Sequence, residues 1–244
     1  MIKNIDYNQD LKLKRWVGYF DLLGMKDLIK SGAHVSVFVA LSSVLEQLMD
    51  RVSAWPNVRY AWFSDTFIVY TDDDSGLSFC AIDDISKWFC YFLIWENIPV
   101  RGAVSCDLLY ADRENNLFFG EALVEAYEYG EAQDWLGLIL CPSAEKKLVK
   151  DLKVNPENLS DYAYAEIPYK ISYKKRSNKL VRKLLTCIIG NWIEVLVNKK
   201  NRNSIIERLN RMKERQTDEG IRSKYDRTIE FLNNKGGLAS NADR

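Results

Sequence analysis

Histidine is nearly absent from the sequence, since His34 is the only one among 244 residues. This excludes His-rich zinc sites and the HExxH motif, and it leaves one residue at most for a Ser/His or Cys/His pair. We expect His34 itself to be an ordinary surface or helix-start residue. The five cysteines lack CxxC spacing and are odd in number, which argues against a disulfide framework and favours a reduced, cytoplasmic protein.

Long apolar runs are also missing. The longest, Trp88 to Trp95 and Leu184 to Ile189, are much shorter than the roughly 20 residues that span a bilayer. The first residues do not form a basic-then-apolar leader, so we expect no membrane partner. Apolar residues still make up 47% of the chain and aromatic residues 12%, which predicts a packed core rather than extended disorder.

Net charge is absent overall, with 34 basic and 34 acidic residues, but the distribution is uneven. The segment Pro168 to Lys213 contains 13 Lys and Arg against two Asp and Glu. Two interpretations stay open for this segment. It binds something anionic, or it is a solvated basic face that pairs with acidic parts of the same protein.

Hydrophobic periodicity predicts alternating strands and helices. Arg15 to Phe20 is strand-like and ends at Asp21, and a helix with one buried face follows. Its apolar positions recur every three or four residues, at Val35, Phe38, Val39, Leu41, Leu45, Leu48 and Met49. Two β-rich runs, Val58 to Phe63 and Thr66 to Thr71, flank Ser64-Asp65, which predicts a tight hairpin with Asp65 at its tip.

The following segments continue this alternation. We predict a long apolar helix over 77–96 and a strand over 99–110 that returns at 117–119. Gly120 then precedes a helical stretch through Ala132, followed by a strand over 136–140 and a further helix from 142 onward. This order predicts an α+β fold of the ferredoxin-like or palm type, with an antiparallel sheet and helices.

Beyond residue 150 the pattern weakens. Tyr162 to Tyr173 and Leu184 to Val197 have strand-like content, Ser204 to Asn233 predicts two helices, and Gly236 to Arg244 predicts a frayed tail. No linker marks a boundary. We therefore predict one domain, with a catalytic core in residues 1–150 and, in 151–244, terminal strands and a basic helical extension of the same domain.

Two aspartates have positions that suggest chemistry. Asp21 ends the first strand and Asp65 caps the central hairpin, so adjacent strands place both carboxylates on one rim of the sheet. Close carboxylates repel unless a cation lies between them, and Mg²⁺ or Mn²⁺ prefers oxygen ligands. The alternative is structural, with Asp21 as a helix N-cap and Asp65 as a turn residue.

Gly24 favours the metal interpretation. It follows Asp21 by three residues and allows a sharp turn into a helix, whose first amides suit phosphate oxygens. A DxxG pattern also occurs in GTPases, but the sequence has no GxxxxGK[ST] phosphate loop.

Four segments together resemble class III nucleotidyl cyclases. They are 20–25 (FDLLGM), similar to the first metal-binding motif, 63–65 (FSD), similar to the second metal-binding hairpin, 100–104 (VRGAV), similar to the following strand, and 119–126 (FGEALVEA), similar to a helix that begins at glycine. The resemblance spans residues 14 to 140, about half of the chain, in spacing and in element order.

This chain departs from the family at the positions that recognise the nucleotide base of a purine substrate. Purine cyclases carry a base-reading Lys or Glu where this chain has Ala61, and an Asp or Cys where it has Leu117. On the helix that follows, the family has an Asn and an Arg that support the ribose and the transition state, and these positions are Val124 and Glu128 in this chain. The whole pattern resembles the bacterial antiphage pyrimidine cyclases of the Pycsar systems, in which Tyr60 or Trp62 could contact the smaller base.

This resemblance implies a second-messenger synthase that converts UTP to cyclic UMP and pyrophosphate, or alternatively CTP to cyclic CMP, and that acts on a downstream effector through its product. It implies two Mg²⁺ or Mn²⁺ ions per active site and a homodimer with composite sites. The implied metal ligands are Asp21, Leu22 and Asp65. The implied catalytic residues are Asp21, Asp65 and Arg101, and the implied substrate-binding residues are Phe20, Leu22, Leu23, Gly24, Met25, Tyr60 and Lys170.

Two functions of other classes stay open. An aromatic-rich ferredoxin-like sheet with a basic C-terminal region also suits an RNA-binding module, although no RNP-like stretch is present and we expect no nucleic-acid partner. A catalytically inactive cyclase fold that senses nucleotides is the other alternative.

Overall fold

The computed structural model describes residues 12–30, 32–155, 164–166, 185–187 and 199–235. The strands are β1 (Lys14–Leu22), β2 (Val58–Phe63), β3 (Thr66–Thr71), β4 (Val100–Leu108), β5 (Tyr110–Asp112), β6 (Leu117–Phe119), β7 (Gly137–Leu140), β8 (Tyr164–Glu166) and β9 (Leu185–Cys187). The helices are α1 (Met25–Lys30), α2 (His34–Ser53), α3 (Gly76–Trp95), α4 (Glu121–Glu131), α5 (Pro142–Lys146), which continues into a π-helical turn (Lys147–Asp151), α6 (Lys199–Glu214) and α7 (Glu219–Lys235).

The described strands form one large sheet and a small ribbon. The sheet has the order β2-β3-β1-β4-β7-β9-β8, and β5 pairs with β6 in the ribbon. All neighbours in the sheet are antiparallel except β4 and β7. The predicted α+β fold with an antiparallel-rich sheet is confirmed.

Helices cover both faces of the sheet. Helix α3 packs on the face that carries Phe20 and Phe67, where Phe89 contacts both rings at centroid distances of 5.1 and 4.1 Å. Its N-terminus is capped by Ser75, whose hydroxyl accepts a hydrogen bond from the Ser78 amide at 3.2 Å. Helix α4 packs on the opposite face, against β1 and β4. The sheet is therefore buried on both sides near β1.

The central hairpin forms as predicted. Strands β2 and β3 pair from Val58 with Thr71 to Phe63 with Thr66, which leaves Ser64 and Asp65 as the turn. Ser64 adopts a left-handed conformation with φ of 56°, as a primed two-residue turn requires. Asp65 is thus held at the tip of the hairpin.

Helix α2 is present and packs through one face, but only part of the predicted apolar set belongs to that face. Only Val37, Val44 and Leu48 are buried, whereas much of the predicted face points to solvent. Four of its members are more than half exposed: Val35, Phe38, Val39 and Met49. The helix packs through a narrow edge, because it lies beside α3 rather than over the sheet. His34 is its exposed first residue, as predicted.

The strand predicted over Pro99 to Tyr110 is divided. It ends at Leu108, and the return predicted at Leu117 pairs with the separate strand β5. At the break, the Leu109 amide donates to the Leu13 carbonyl at 3.1 Å, and the Leu109 side chain is buried in a cluster with Val17 and Ala122. The ribbon packs back on the main sheet, where Phe118 contacts Tyr70 with the ring centroids 5.8 Å apart.

The C-terminal part of the chain adds strands and helices to this core. Strand β9 pairs with β7, and β8 pairs with β9. The two helices predicted between Ser204 and Asn233 are present as α6 and α7. The other strand-like residues predicted there, Lys170 and the predicted tail lie outside the described residues. No helix in the described ranges is long and apolar enough to span a bilayer.

Candidate active site

Asp21 and Asp65 lie on the same rim of the sheet. Asp21 is the penultimate residue of β1, where it pairs with Thr66 on one side and with Arg101 on the other. The carbonyl of Asp65 accepts a hydrogen bond from the Leu22 amide at 2.9 Å, which joins the hairpin tip to the end of β1. The register of two adjacent strands therefore places one acid beside the other.

Arg101 neutralises two acids behind this rim. Its side chain is nearly buried, and its Nε donates to Asp21 Oδ2 at 2.8 Å. Nη2 donates to Glu131 Oε2 at 2.6 Å, and Nη1 donates to the Glu131 carbonyl at 2.7 Å. A planar guanidinium is suited to such forked contacts. Strand β4 and the end of α4 are thereby tied to the carboxylate of β1.

The electrostatics of Asp21 reflect its burial. Burial raises the pKa of Asp21, the Arg101 guanidinium opposes that rise, and the charges of Glu131 and Asp65 add to it. The hydroxyl of Tyr19 donates to Glu131 Oε1 at 3.4 Å, and burial raises the pKa of Tyr19 well above its ordinary value. The cluster holds more carboxylates than cations, which favours an added cation.

Replacement of Glu131 by glutamine tests this network. A carboxylate at the C-terminus of a helix is unfavourable unless a cation compensates it, and Glu131 ends α4 with Arg101 as its partner. We expect Glu131→Gln to lower the free energy of unfolding by about 1 kcal/mol in urea titrations, because the ion pair is partly buried.

Glu128→Gln is the matched control for this variant. Glu128 is an exposed residue on the same helix, so its replacement is expected to change the unfolding free energy by less than about 0.5 kcal/mol. Equal stability of the two variants would show that the contact between Arg101 and Glu131 contributes nothing.

The predicted nucleotide-binding segment turns sharply after β1. Gly24 has a φ of +73°, which allows the chain to pass directly into α1, and the Leu23 amide donates to the Pro99 carbonyl at 2.8 Å. Leu22 and Met25 are buried. The backbone from Leu22 to Met25 directly follows Asp21, and contact of these four residues with a substrate stays a prediction.

Two other predicted residues lie on the opposite face of the sheet. Phe20 is fully buried under α3, and Tyr60 stacks on Phe67 with the ring centroids 5.9 Å apart. Side chains alternate along a strand, so Phe20 points away from its neighbour Asp21. The structure does not bring Phe20 or Tyr60 to the carboxylates, and their roles toward a base stay predictions.

The donor set fits a divalent cation that is shared with a phosphate ligand. Mg²⁺ in proteins is commonly held by one or two carboxylates together with substrate phosphates, and Asp21 and Asp65 supply two carboxylates. Among the described residues, no group of three or more His, Cys, Asp or Glu side chains is arranged to hold a metal ion. The rim is thus suited to a cation that arrives with a nucleotide, not to one that the protein alone encloses.

Several solved structures share this architecture. The adenylyl cyclase CyaB from P. aeruginosa superposes with a TM-score of 0.54 at 10% identity, over 73% of this chain and 95% of that one. Adenylate cyclases from Trypanosoma brucei give 0.53 at 6% identity, over 71% and 88%. The guanylyl cyclase domain of the RhoGC fusion protein from Blastocladiella emersonii gives 0.51 at 10%, over 73% and 96%.

The chain has the fold of a class III nucleotidyl cyclase catalytic domain. No protein-family model matches it, and no curated protein matches it significantly. At these identities the similarity establishes the fold, and the chemistry must be argued from the residues of the site.

A second region of this cyclase fold forms an open cavity of about 510 Å³. It lies between the ribbon and α4, and its lining includes Val124 and Glu128, the positions at which the family has Asn and Arg. Phe119 and Tyr110 form an aromatic wall with their ring centroids 4.9 Å apart. Two of the four departures noted in the sequence, Val124 and Glu128, therefore line the same cavity.

Sequence reasoning missed two residues near the carboxylates. Glu131 holds Arg101, and Lys224 on α7 is close enough for Asp21, Glu131 and Arg101 to influence its ammonium. No local pattern marks either residue, because both approach the site from elements distant in sequence.

Proposed function

We propose that this protein is a nucleotidyl cyclase that converts a pyrimidine nucleoside triphosphate, UTP in the first instance, into the 3′,5′-cyclic nucleotide and pyrophosphate. The observation that carries the proposal is the juxtaposition of Asp21 and Asp65 on one rim of a cyclase fold, with Arg101 directly behind them. In the reaction, the ribose 3′-oxygen attacks the α-phosphorus, the bond to the β-phosphate breaks, and the 3′-hydroxyl proton leaves to solvent.

Asp21 and Asp65 are the residues that would hold two Mg²⁺ or Mn²⁺ ions. When bound, such ions supply Lewis-acid activation of the 3′-hydroxyl and neutralise the charge of the triphosphate. The chain itself contributes positioned charge. Arg101 places a guanidinium beside Asp21, and Glu131 fixes that guanidinium from the other side, so its orientation is set before a substrate arrives.

The pyrimidine preference rests on Ala61 and Leu117. Neither side chain can form a hydrogen bond with a purine edge, and Leu117 is about half exposed at the start of β6. A smaller base suits a site without these readers. We extend the proposal to a role as a second-messenger synthase in antiphage defence, with the cyclic nucleotide acting on a separate effector.

Incubation of the protein with each of the four nucleoside triphosphates and Mn²⁺, followed by mass analysis of the products, tests this function. Cyclic UMP with stoichiometric pyrophosphate is the expected result. If cyclic CMP is the only product, the assigned substrate is CTP rather than UTP. A purine product would contradict the pyrimidine assignment, and the absence of any product would contradict the enzymatic proposal in favour of a nucleotide sensor or an RNA-binding module.

The exposed apolar residues support a homodimer. Val35, Phe38 and Val39 form a strip at the start of α2, and each is more than 60% exposed. A second group lies around the open cavity, where Phe119 and Val124 are about half exposed. Exposed apolar clusters of this kind mark interaction surfaces. We assign them to a second copy of this chain, with each active site built from both protomers.

A charge at the centre of the α2 strip is expected to separate the protomers. Burial of one phenylalanine contributes about 1.5 to 3 kcal/mol, and a symmetric dimer buries it twice. Phe38→Glu is therefore expected to raise the dimer dissociation constant at least about 100-fold, as measured by sedimentation equilibrium.

Leu77→Glu serves as the control for that experiment. Leu77 is equally apolar and 66% exposed, but it lies at the start of α3, away from the strip. A wild-type protein that sediments as a monomer, or a Phe38→Glu variant that still dimerises, would contradict the assignment of this surface.

A further inference from the structure

Helix α7 is fixed against the turn that leads into β7. The Leu136 amide donates to Thr228 Oγ1 at 2.9 Å, and Arg227 Nη1 donates to the Asp134 carbonyl at 3.2 Å. The rings of Trp135 and Phe231 meet edge to face at 5.2 Å. These contacts recur along one face of the helix, so its orientation relative to the sheet is well defined.

Lys224 lies one turn before Thr228 on that same face. Its Nζ donates to the carbonyl of Gln133 at 3.1 Å, whereas Arg101 Nη1 donates to the carbonyl of Glu131 at 2.7 Å. The two cations therefore bind carbonyls two residues apart. Gln133 Nε2 donates to the Gly102 carbonyl at 2.8 Å, which holds this turn against β4 next to Arg101.

The acids around Lys224 are already paired with arginines. Arg101 contacts Asp21 and Glu131, and Arg227 contacts Asp134. Lys224 is thus one of three cationic side chains, with Arg101 and Arg227, that donate to carbonyls of the turn before β7. Burial and the charge of Arg101 lower the pKa of Lys224, while the charges of Asp134, Glu131 and Asp21 oppose that shift.

We infer that Lys224 is a substrate-binding residue that, together with Arg101, binds the polyphosphate of the nucleotide. This inference rests on the proposed function for the identity of the anion. It makes α7 a component of the active site, although α7 begins almost 80 residues after the end of β7. The sequence resemblance had implied a different lysine, Lys170, for contact with phosphate.

Binding of inorganic tripolyphosphate, measured by isothermal titration calorimetry in EDTA, tests the inference without metal and without turnover. Lys224→Gln is expected to weaken binding about 10-fold or more, because a charge-assisted hydrogen bond is lost. Lys224→Arg should retain affinity within about threefold, since it keeps the charge. Wild-type affinity in Lys224→Gln would overturn the inference.

Arg222→Gln is the matched control. Arg222 lies on the same helix and pairs with Glu219 at 3.8 Å. Its replacement is expected to leave tripolyphosphate affinity unchanged, and a loss equal to that of Lys224→Gln would show that the helix contributes only general positive charge.

A measurement on the wild-type protein guards against misfolding of the variants. Acylation of lysines with an amine-reactive reagent, followed by mass spectrometry, reports the accessibility of Lys224. Tripolyphosphate is expected to protect Lys224 from acylation, and undiminished labelling would overturn the inference. This result can be distinguished from the result of the four-nucleotide assay. A protein that binds tripolyphosphate through Lys224 but forms no product would refute the cyclase proposal and leave the inference about Lys224 standing.

Discussion

Asp65→Asn is expected to fold normally and to lose cyclase activity about 1,000-fold or more. Asparagine keeps the size and polarity of the Asp65 side chain but removes one of the two carboxylates that we propose hold the metal ions. Metal-bound charge stabilisation contributes several kcal/mol to the transition state, and each 1.4 kcal/mol corresponds to a factor of ten in rate. The measurement is pyrophosphate release with Mn²⁺ and the preferred nucleotide.

The matched control for this variant is Asp50→Asn. Asp50 is an exposed carboxylate near the end of α2, so its loss is expected to leave the rate within about twofold of wild type. Thermal melting should show that both variants stay within about 0.5 kcal/mol of the wild-type stability. Turnover retained by a folded Asp65→Asn variant would refute the assignment of Asp65 as a metal ligand.

Gly120→Ala is expected to destabilise the fold by about 3 kcal/mol or more. Gly120 precedes α4 with a φ of +148°, a conformation that alanine rarely adopts. A Cβ atom there would lie 2.3 Å from the Leu108 carbonyl oxygen and 2.9 Å from the Leu109 Cα. Both obstacles are backbone atoms, so backbone strain and overpacking add together. Urea unfolding gives the difference directly.

Gly32→Ala separates the two contributions. Gly32 also has a positive φ, of +83°, but a Cβ atom there would meet nothing within 4 Å. We expect a cost of only about 1 to 2 kcal/mol, from the left-handed backbone alone. Should the two alanine variants be equally stable, the close approach of α4 to the end of β4 would not be the reason that glycine is required at residue 120.

The parts of the fold that were predictable depend on local sequence. The β2–β3 hairpin is specified by two β-rich runs and a two-residue turn, and α3 is specified by its length and apolar content. The common rim of Asp21 and Asp65 followed from the predicted topology, in which the first strand lies next to the hairpin. The turn after β1 was also predictable, because a single residue, Gly24, adopts the positive φ that the turn requires.

The remainder depends on contacts between distant segments. Nothing near Arg101 in the sequence indicates that Glu131 will bind it, and the approach of Lys224 depends on how α7 packs against the Asp134 to Leu136 turn. Periodicity identified α2 but also assigned four exposed apolar residues to its buried face. The division between β4 and β5 likewise depends on the burial of Leu109 in tertiary structure.

The two aspartates differ in mechanical support. Asp21 belongs to a strand with hydrogen-bonded neighbours on both sides, so its backbone is held rigidly within the sheet. Asp65 occupies the end of a hairpin whose outer strand, β2, has no further neighbour in the described sheet. If the two carboxylates bind metal ions as proposed, adjustment of their spacing to ions of different radius would fall to the hairpin. Ser64, with its φ of 56°, is then the position at which a substitution would alter that spacing without disturbing β1.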